Sequence, residues 1–167
     1  MTVLTMLQSD LRSLSVESRN KHPRVREAAD QAILQVRSLK QPEPGSESYS
    51  VGQFELVVRP LTMACKTREP KLALIAVGCL QKLIAQDAVP LDSLSAVLAT
   101  LVDQAGTGDE GVQAKILQTV LSLLASKTYP VRRDDLSRAF SICLVLHGGS
   151  AASALINNTA TATMRQA

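Results

Sequence analysis

Histidine, cysteine and paired carboxylates are the side chains that most often hold metals, move protons or attack substrates. In this sequence they stand apart from one another. The two histidines are His22, just ahead of Pro23, and His147, just ahead of Gly148 and Gly149, and both positions read as helix-terminal residues. Cys65, Cys79 and Cys143 lie in separate apolar runs, with no second cysteine or histidine at metal-ligand spacing. An odd number of cysteines in such settings describes buried, reduced thiols of a cytosolic protein. Gly106-Thr107-Gly108 lacks the Lys-Ser or Lys-Thr that completes a phosphate-binding loop, and no carboxylate pair stands in an apolar segment that would raise its pKa. These patterns nominate no catalytic residue, no metal ligand and no cofactor.

The chemistry that the sequence does offer is electrostatic. Arg19, Lys21, Arg24 and Arg26 fall in one short stretch, and Lys66, Arg68 and Lys71 in another. Such clusters attract anions; beside an anionic membrane each basic residue contributes ~1 kcal/mol. Glu17, Glu27 and Glu69 share the same stretches and offset part of that charge. A further basic group, Lys127, Arg132 and Arg133, is expected at the opposite end of the helices. The net charge is only +3, and basic side chains alternate with acidic ones along much of the chain. The aromatic residues are Phe54, Phe140, Tyr49 and Tyr129, too few to form a platform for stacking bases, so nucleic acid is not an expected partner.

The elements that must carry these clusters are helices. Leu4, Leu7, Leu11 and Leu14 recur at three- and four-residue steps, predicting a first helix over about Thr2 to Arg19. Pro23 opens a second, to about Leu39, because the amide that proline lacks has no intrahelical partner in the first turn. Gln41 to Ser50 is loop by composition. A third helix is expected from Val51 to Lys66, kinked at Pro60, and a fourth from Pro70 to about Gln86. Pro90 and Asp92 mark the start of a fifth, which Gly106 and Gly108 end; Asp109 caps a sixth, to about Ser126. Asp134 or Asp135 caps a seventh, and Ser150 an eighth that begins at Ala151. Leu56-Val57-Val58 is the single strand-like run, and Pro60 behind it argues against a strand.

A shift of 47 residues lays Pro23 on Pro70, Val25 on Leu72, Ala28 on Ile75, Ala29 on Ala76, Ala32 on Cys79, Ile33 on Leu80 and Val36 on Leu83. A weaker copy continues through Val112, Ile116, Val120 and Leu123, with Lys115 and Thr119 breaking the match. This repeat of one apolar helix face, opened by proline and thinned by alanine, resembles the second helix of a HEAT repeat. It predicts an all-α, armadillo/HEAT-like right-handed solenoid of about eight helices, in which each unit buries its apolar face on the next. Stacked units would bring both basic turns to one edge, beside two helix N-termini whose free amides favour anions. The longest apolar run, Leu72 to Leu80, is far shorter than the ~20 residues of a membrane span, and Met1 to Leu4 does not begin a secretory signal. Membrane contact, if made, is therefore peripheral.

Several segments are familiar together: Met6-Leu-Gln-Ser-Asp-Leu-Arg-Ser-Leu-Ser15, Val25-Arg-Glu-Ala-Ala29, Cys65-Lys-Thr-Arg-Glu-Pro-Lys71, Leu117-Gln-Thr-Val-Leu121 and Asn157-Asn-Thr-Ala-Thr-Ala-Thr-Met-Arg-Gln166. In this order and spacing they resemble the N-terminal dimerisation and cyclophilin-binding (DCB) domain of the Mon-two family, Golgi and endosome scaffolds related to the large Arf guanine nucleotide exchange factors. Gln41 to Ser50 carries no residues of that pattern. The resemblance implies a single domain over residues 1–167 at the start of a much larger chain. It also implies a non-catalytic trafficking role, cytosolic and peripheral on Golgi, trans-Golgi network and endosome membranes; the helical repeat by itself also suits a generic HEAT-repeat adaptor with no lipid binding. The implied partners are anionic lipid, an Arf-like small GTPase, the following domain of the same chain and, through the full-length protein, a Dopey-type scaffold. In the last helix Asn157, Asn158 and Thr161 interrupt the apolar stripe; it reads either as an end helix that the next domain must cover or as a partner-facing helix on which these residues and Arg165 meet an interface.

Overall fold

The computed structural model describes residues 2–39, 51–107 and 109–126, together with positions 129, 137, 141 and 142. Six helices follow in order: α1 (Val3–Glu17), α2 (Pro23–Ser38), α3 (Val51–Lys66), α4 (Pro70–Ala85), α5 (Leu91–Ala105) and α6 (Glu110–Ala125). The strand-like run at Leu56 lies inside α3, which is continuous through Pro60. Ser137, Ser141 and Ile142 are helical, within the span expected of the seventh helix. The rest of that helix, the whole of the eighth, Gln41 to Ser50 and the group Lys127, Arg132 and Arg133 lie outside the described residues. So do Cys143, His147, Asn157, Asn158, Thr161 and Arg165.

The helix ends follow from side chains that satisfy orphan backbone groups. Thr2 caps α1 by accepting from the Thr5 amide, and Asp109 caps α6 by accepting from the Val112 amide at 2.9 Å. α4 ends in a left-handed Asp87 (φ 52°), with the Ala88 amide bonded to the Leu83 carbonyl and the Asp87 amide to the Ile84 carbonyl. That is the Schellman arrangement, here without its usual glycine. The Asp87 carboxylate in turn accepts from the Ser126 hydroxyl at 2.9 Å, tying the ends of α4 and α6 together.

The repeat read from sequence is a repeat of burial. Val25 and Leu72, Ala29 and Ala76, Ala32 and Cys79, Ile33 and Leu80, and Val36 and Leu83 are all buried, and Ala28 and Ile75 are both half-buried. Val112, Ile116, Val120 and Leu123 continue the face on α6. Thr119 is fully buried there because its hydroxyl donates back to the Lys115 carbonyl at 2.7 Å, which removes the cost of placing it in the core.

The packing of the hairpins is more varied than a uniform array. The hairpin α5–α6 stacks on α3–α4 in repeat fashion, with α6 on α4 and α5 on α3. The first hairpin meets the second differently: α2 lies on α3 and α1 on α4, so the four helices close into a ring. The apolar surfaces explain the difference. α2 buries one stripe only, and Leu34 on its outer side is 62% exposed. α4 adds Ala73, Val77, Gly78 and Ile84 to its buried set and is apolar nearly all round, so it takes α1, α3 and α6 as neighbours. A polar latch accompanies the α1–α4 contact: Lys82 donates to both Asp10 carboxylate oxygens, at 2.9 and 3.0 Å. Buried polar groups lock α5 in the same way. The Gln104 amide donates to the Cys65 carbonyl at 3.0 Å, capping the C-terminal end of α3, and the Tyr129 hydroxyl accepts from the Val89 amide at 3.0 Å.

Candidate functional site

Because successive helices alternate in direction, the α1–α2, α3–α4 and α5–α6 turns all lie at one end of the molecule. Both basic clusters are on the first two of these turns. The turns face each other: Lys21 pairs with Glu69 at 3.9 Å, and Lys71 pairs with Glu17 at 3.6 Å. Lys21, Arg24 and Lys66 line one hollow of about 490 Å³, whose walls also include Pro23, Val25 and Met63. Arg24 and Lys71 are therefore on the same side of the molecule. The ring closure of the first hairpin does not disturb this, since exchanging lateral neighbours leaves the ends of the helices where they were.

The seven basic residues are not equivalent. Lys21 and Lys71 are engaged by the carboxylates across the turn, and Arg26 pairs with Asp30 at 3.7 Å within α2. Arg19, Arg24, Lys66 and Arg68 are exposed and have no ion-pair partner among the described residues. Arg68 sits in the left-handed region (φ 59°), where a residue with a Cβ is disfavoured by about 1–2 kcal/mol. The third turn at this end is acidic, with Asp103, Asp109 and Glu110. The positive rim therefore covers only the first two turns.

The helix starts follow the same division. α6 has its amides satisfied by the Asp109 side chain, whereas α2 and α4, which begin after His22 and Glu69, have no side-chain cap. Their first-turn amides point to the rim, at the positive ends of the helix dipoles. The His22 imidazole Nε2 is buried and has no hydrogen-bond partner among the described residues. Sequence reasoning found the rim by composition. It missed the division into paired and unpaired cations, which depends on contacts between turns some 50 residues apart.

Among the described residues no group of three or more His, Cys, Asp or Glu could hold a metal ion. No described helix is long and apolar enough to cross a membrane. Cys65 and Cys79 are buried. Burial, and then the Asp103 carboxylate, push the Cys65 thiol up to about 12. Burial raises the Cys79 thiol further, joined by the charge of Asp10 and a hydrogen bond to it, while Lys82 opposes the shift. At neutral pH both are thiols, and it is the thiolate that reacts. Neither Cys65 nor Cys79 should react with iodoacetamide at pH 8 in the folded protein, and both should react in urea. Native labelling of Cys65 at its unfolded rate, read by peptide mass spectrometry, would contradict this burial.

A second concavity, about 550 Å³, runs between α3 and α5, with Leu80 of α4 in its lining. No sequence pattern had indicated it.

Comparison with known proteins identifies related sequences. The family model for the Mon2/Sec7/BIG1-like dimerisation and cyclophilin-binding domain matches residues 1–167. The human Protein MON2 homolog is 34% identical over 164 residues, covering 98% of this chain. Protein MON2 of Saccharomyces cerevisiae is 31% identical over 163 residues. Brefeldin A-inhibited guanine nucleotide-exchange protein 3 of Arabidopsis thaliana is 28% identical over 116 residues, or 64% of this chain. The chain spans about 9% of the length of the MON2 relatives. With its whole length matched by the family model and identity above 30% to MON2 proteins along nearly all of it, this chain belongs to the dimerisation and cyclophilin-binding (DCB) domain family.

Proposed function

We propose that this domain is a non-catalytic binding module of a membrane-trafficking scaffold, and that its basic rim docks on anionic membrane surfaces of the Golgi and endosomes. Kinship to MON2 proteins supports the scaffold role. The observation that carries the membrane reading is the group of exposed cations without ion-pair partners, Arg19, Arg24, Lys66 and Arg68, on two facing turns beside two uncapped helix starts. Val16, 73% exposed next to this edge, adds an apolar side chain that can enter the headgroup layer. The acidic third turn tilts the docked domain so that α1 to α4 lie nearer the surface than α5 and α6. Kinship also supports an Arf-like GTPase, the following domain of the same chain and a Dopey-type protein as partners of the scaffold, with the rim leaving the flanks of the helices open to them.

The test is flotation with phosphatidylcholine vesicles, with and without phosphatidylserine, across a salt series. Binding should require the anionic lipid and weaken steeply between roughly 0.05 and 0.5 M salt, as screening shortens the reach of the rim. Binding that ignores both lipid charge and salt would remove the proposal.

Arg68→Gly is the sharpest single substitution. It removes one unpaired charge, worth ~1 kcal/mol or about fivefold in vesicle affinity. It also replaces a strained left-handed residue with the one that tolerates that conformation, so thermal stability should be equal or slightly higher. Affinity lost together with stability would mean that Arg68 holds the turn rather than the membrane.

A further inference from the structure

The α3–α5 groove shares Met63 and Lys66 with the hollow at the rim and is otherwise lined by different residues. α3 supplies Phe54, Val58 and Met63 to its lining, and α5 supplies Ala96 and Val97. The wall from Phe54 to Lys66 is about 18 Å long at the helical rise. That is the reach of about three helical turns, and the open side lies along the helices.

Charge is distributed along the groove with a direction. Glu55 and Asp92 stand near the end where α3 and α5 begin, Arg59 lies one turn beyond Glu55, and Lys66 stands at the opposite end. None of the four has an ion-pair partner among the described residues. Ser93 lines the same groove, is only 7% exposed, and its hydroxyl has no hydrogen-bond partner among the described residues. A buried hydroxyl in that state needs a polar group from outside.

We infer that this groove receives an amphipathic helix of a protein partner, running antiparallel to α3 and α5. The apolar stripe of that helix would lie over Phe54, Val58, Ala96 and Val97. Acidic residues in its first turn would meet Lys66, and basic residues in its last turn would meet Glu55 and Asp92. This polarity agrees with the helix dipoles, because the negative C-terminal end of the incoming helix meets the positive N-terminal ends of α3 and α5. It is also the charge order that stabilises the incoming helix itself. A small apolar ligand would use the floor but neither charged end. Helix-in-groove recognition uses both an apolar stripe and flanking charges.

The test uses two stapled, fluorescently labelled helical peptides of about four turns, with the same Leu/Ala stripe, against the 167-residue chain. One carries Glu in its first turn and Lys in its last; the other has these charges exchanged. Stapling keeps both helical, so helix stability does not decide the result. By anisotropy the first should bind saturably and the second at least about tenfold more weakly, a difference of ~1.4 kcal/mol. Ala96→Arg, which fills the groove from an exposed position, should weaken the first peptide by a similar factor. Glu55→Lys with Asp92→Lys should favour the exchanged peptide. Arg19→Glu with Arg24→Glu should leave peptide binding unchanged, which separates this groove from the rim. Equal binding of the two peptides, no binding, or indifference to Ala96→Arg would overturn the inference. So would concentration-dependent self-association abolished by Ala96→Arg, which would assign the groove to a second copy.

Discussion

Reversing Arg19, Arg24, Lys66 and Arg68 together to Glu is expected to abolish vesicle binding while leaving the fold intact. Four neutralised charges at ~1 kcal/mol each remove about 4 kcal/mol, nearly a thousandfold in affinity, and the added carboxylates repel an anionic surface besides. The fold should survive because all four side chains are exposed and hold no ion pair among the described residues. The size of the effect depends on choosing these four rather than any four. Lys21 and Lys71 are already engaged by Glu69 and Glu17, so their reversal places like charges together across the turns and mixes a packing effect with a binding one. Arg12 and Arg37 are exposed away from the rim, and their reversal is the control matched in charge to Arg19→Glu with Arg24→Glu. Flotation that falls equally with the control pair would show that net charge, and not the rim, governs attachment.

Leu11→Ala should lower stability by about 3–5 kcal/mol, read as a fall in the urea midpoint with an unchanged slope. Leu11 is fully buried on α1, which lies against both α2 and α4, so the cavity forms where the first hairpin closes on the rest. A domain of ordinary stability, roughly 5–15 kcal/mol, would lose a fifth or more of it. Lys82→Ala breaks a bond across the same interface but should cost only about 1 kcal/mol, since the lysine side chain is 46% exposed and water replaces part of what is lost. The contrast assigns the α1–α4 contact to apolar packing, with the ion pair setting its register. A Lys82→Ala loss as large as that of Leu11→Ala would reverse that assignment.

Over the six described helices, what consecutive residues indicate agrees closely with the structure. Pro23, Pro70 and Asp109 mark helix starts, and the predicted C-terminal ends of the first, second and fourth helices fall one or two residues late. The alignment of Val25 with Leu72, and of each later pair, matches burial position by position. Such features are local: a cap bonds an amide within its own turn, and a 3.6-residue period assigns one face to the core whatever that core proves to be. Membership of the DCB family was legible for the same reason, carried by short segments in a fixed order.

Sequence alone thus determined the six described helices, their buried faces and the end of the molecule on which the first two basic turns fall. Only the tertiary structure decided that α1 lies on α4 in a ring, that Asp10 meets Lys82, that four rim cations lack ion-pair partners among the described residues, and that α3 and α5 leave a groove with a buried, unpartnered Ser93 hydroxyl. The physical reason is that hydrophobic burial has no direction of its own. An apolar stripe states that a helix must be covered. Which neighbour covers it, and where the fit leaves a gap, is settled by the shapes of all the helices competing for the same core.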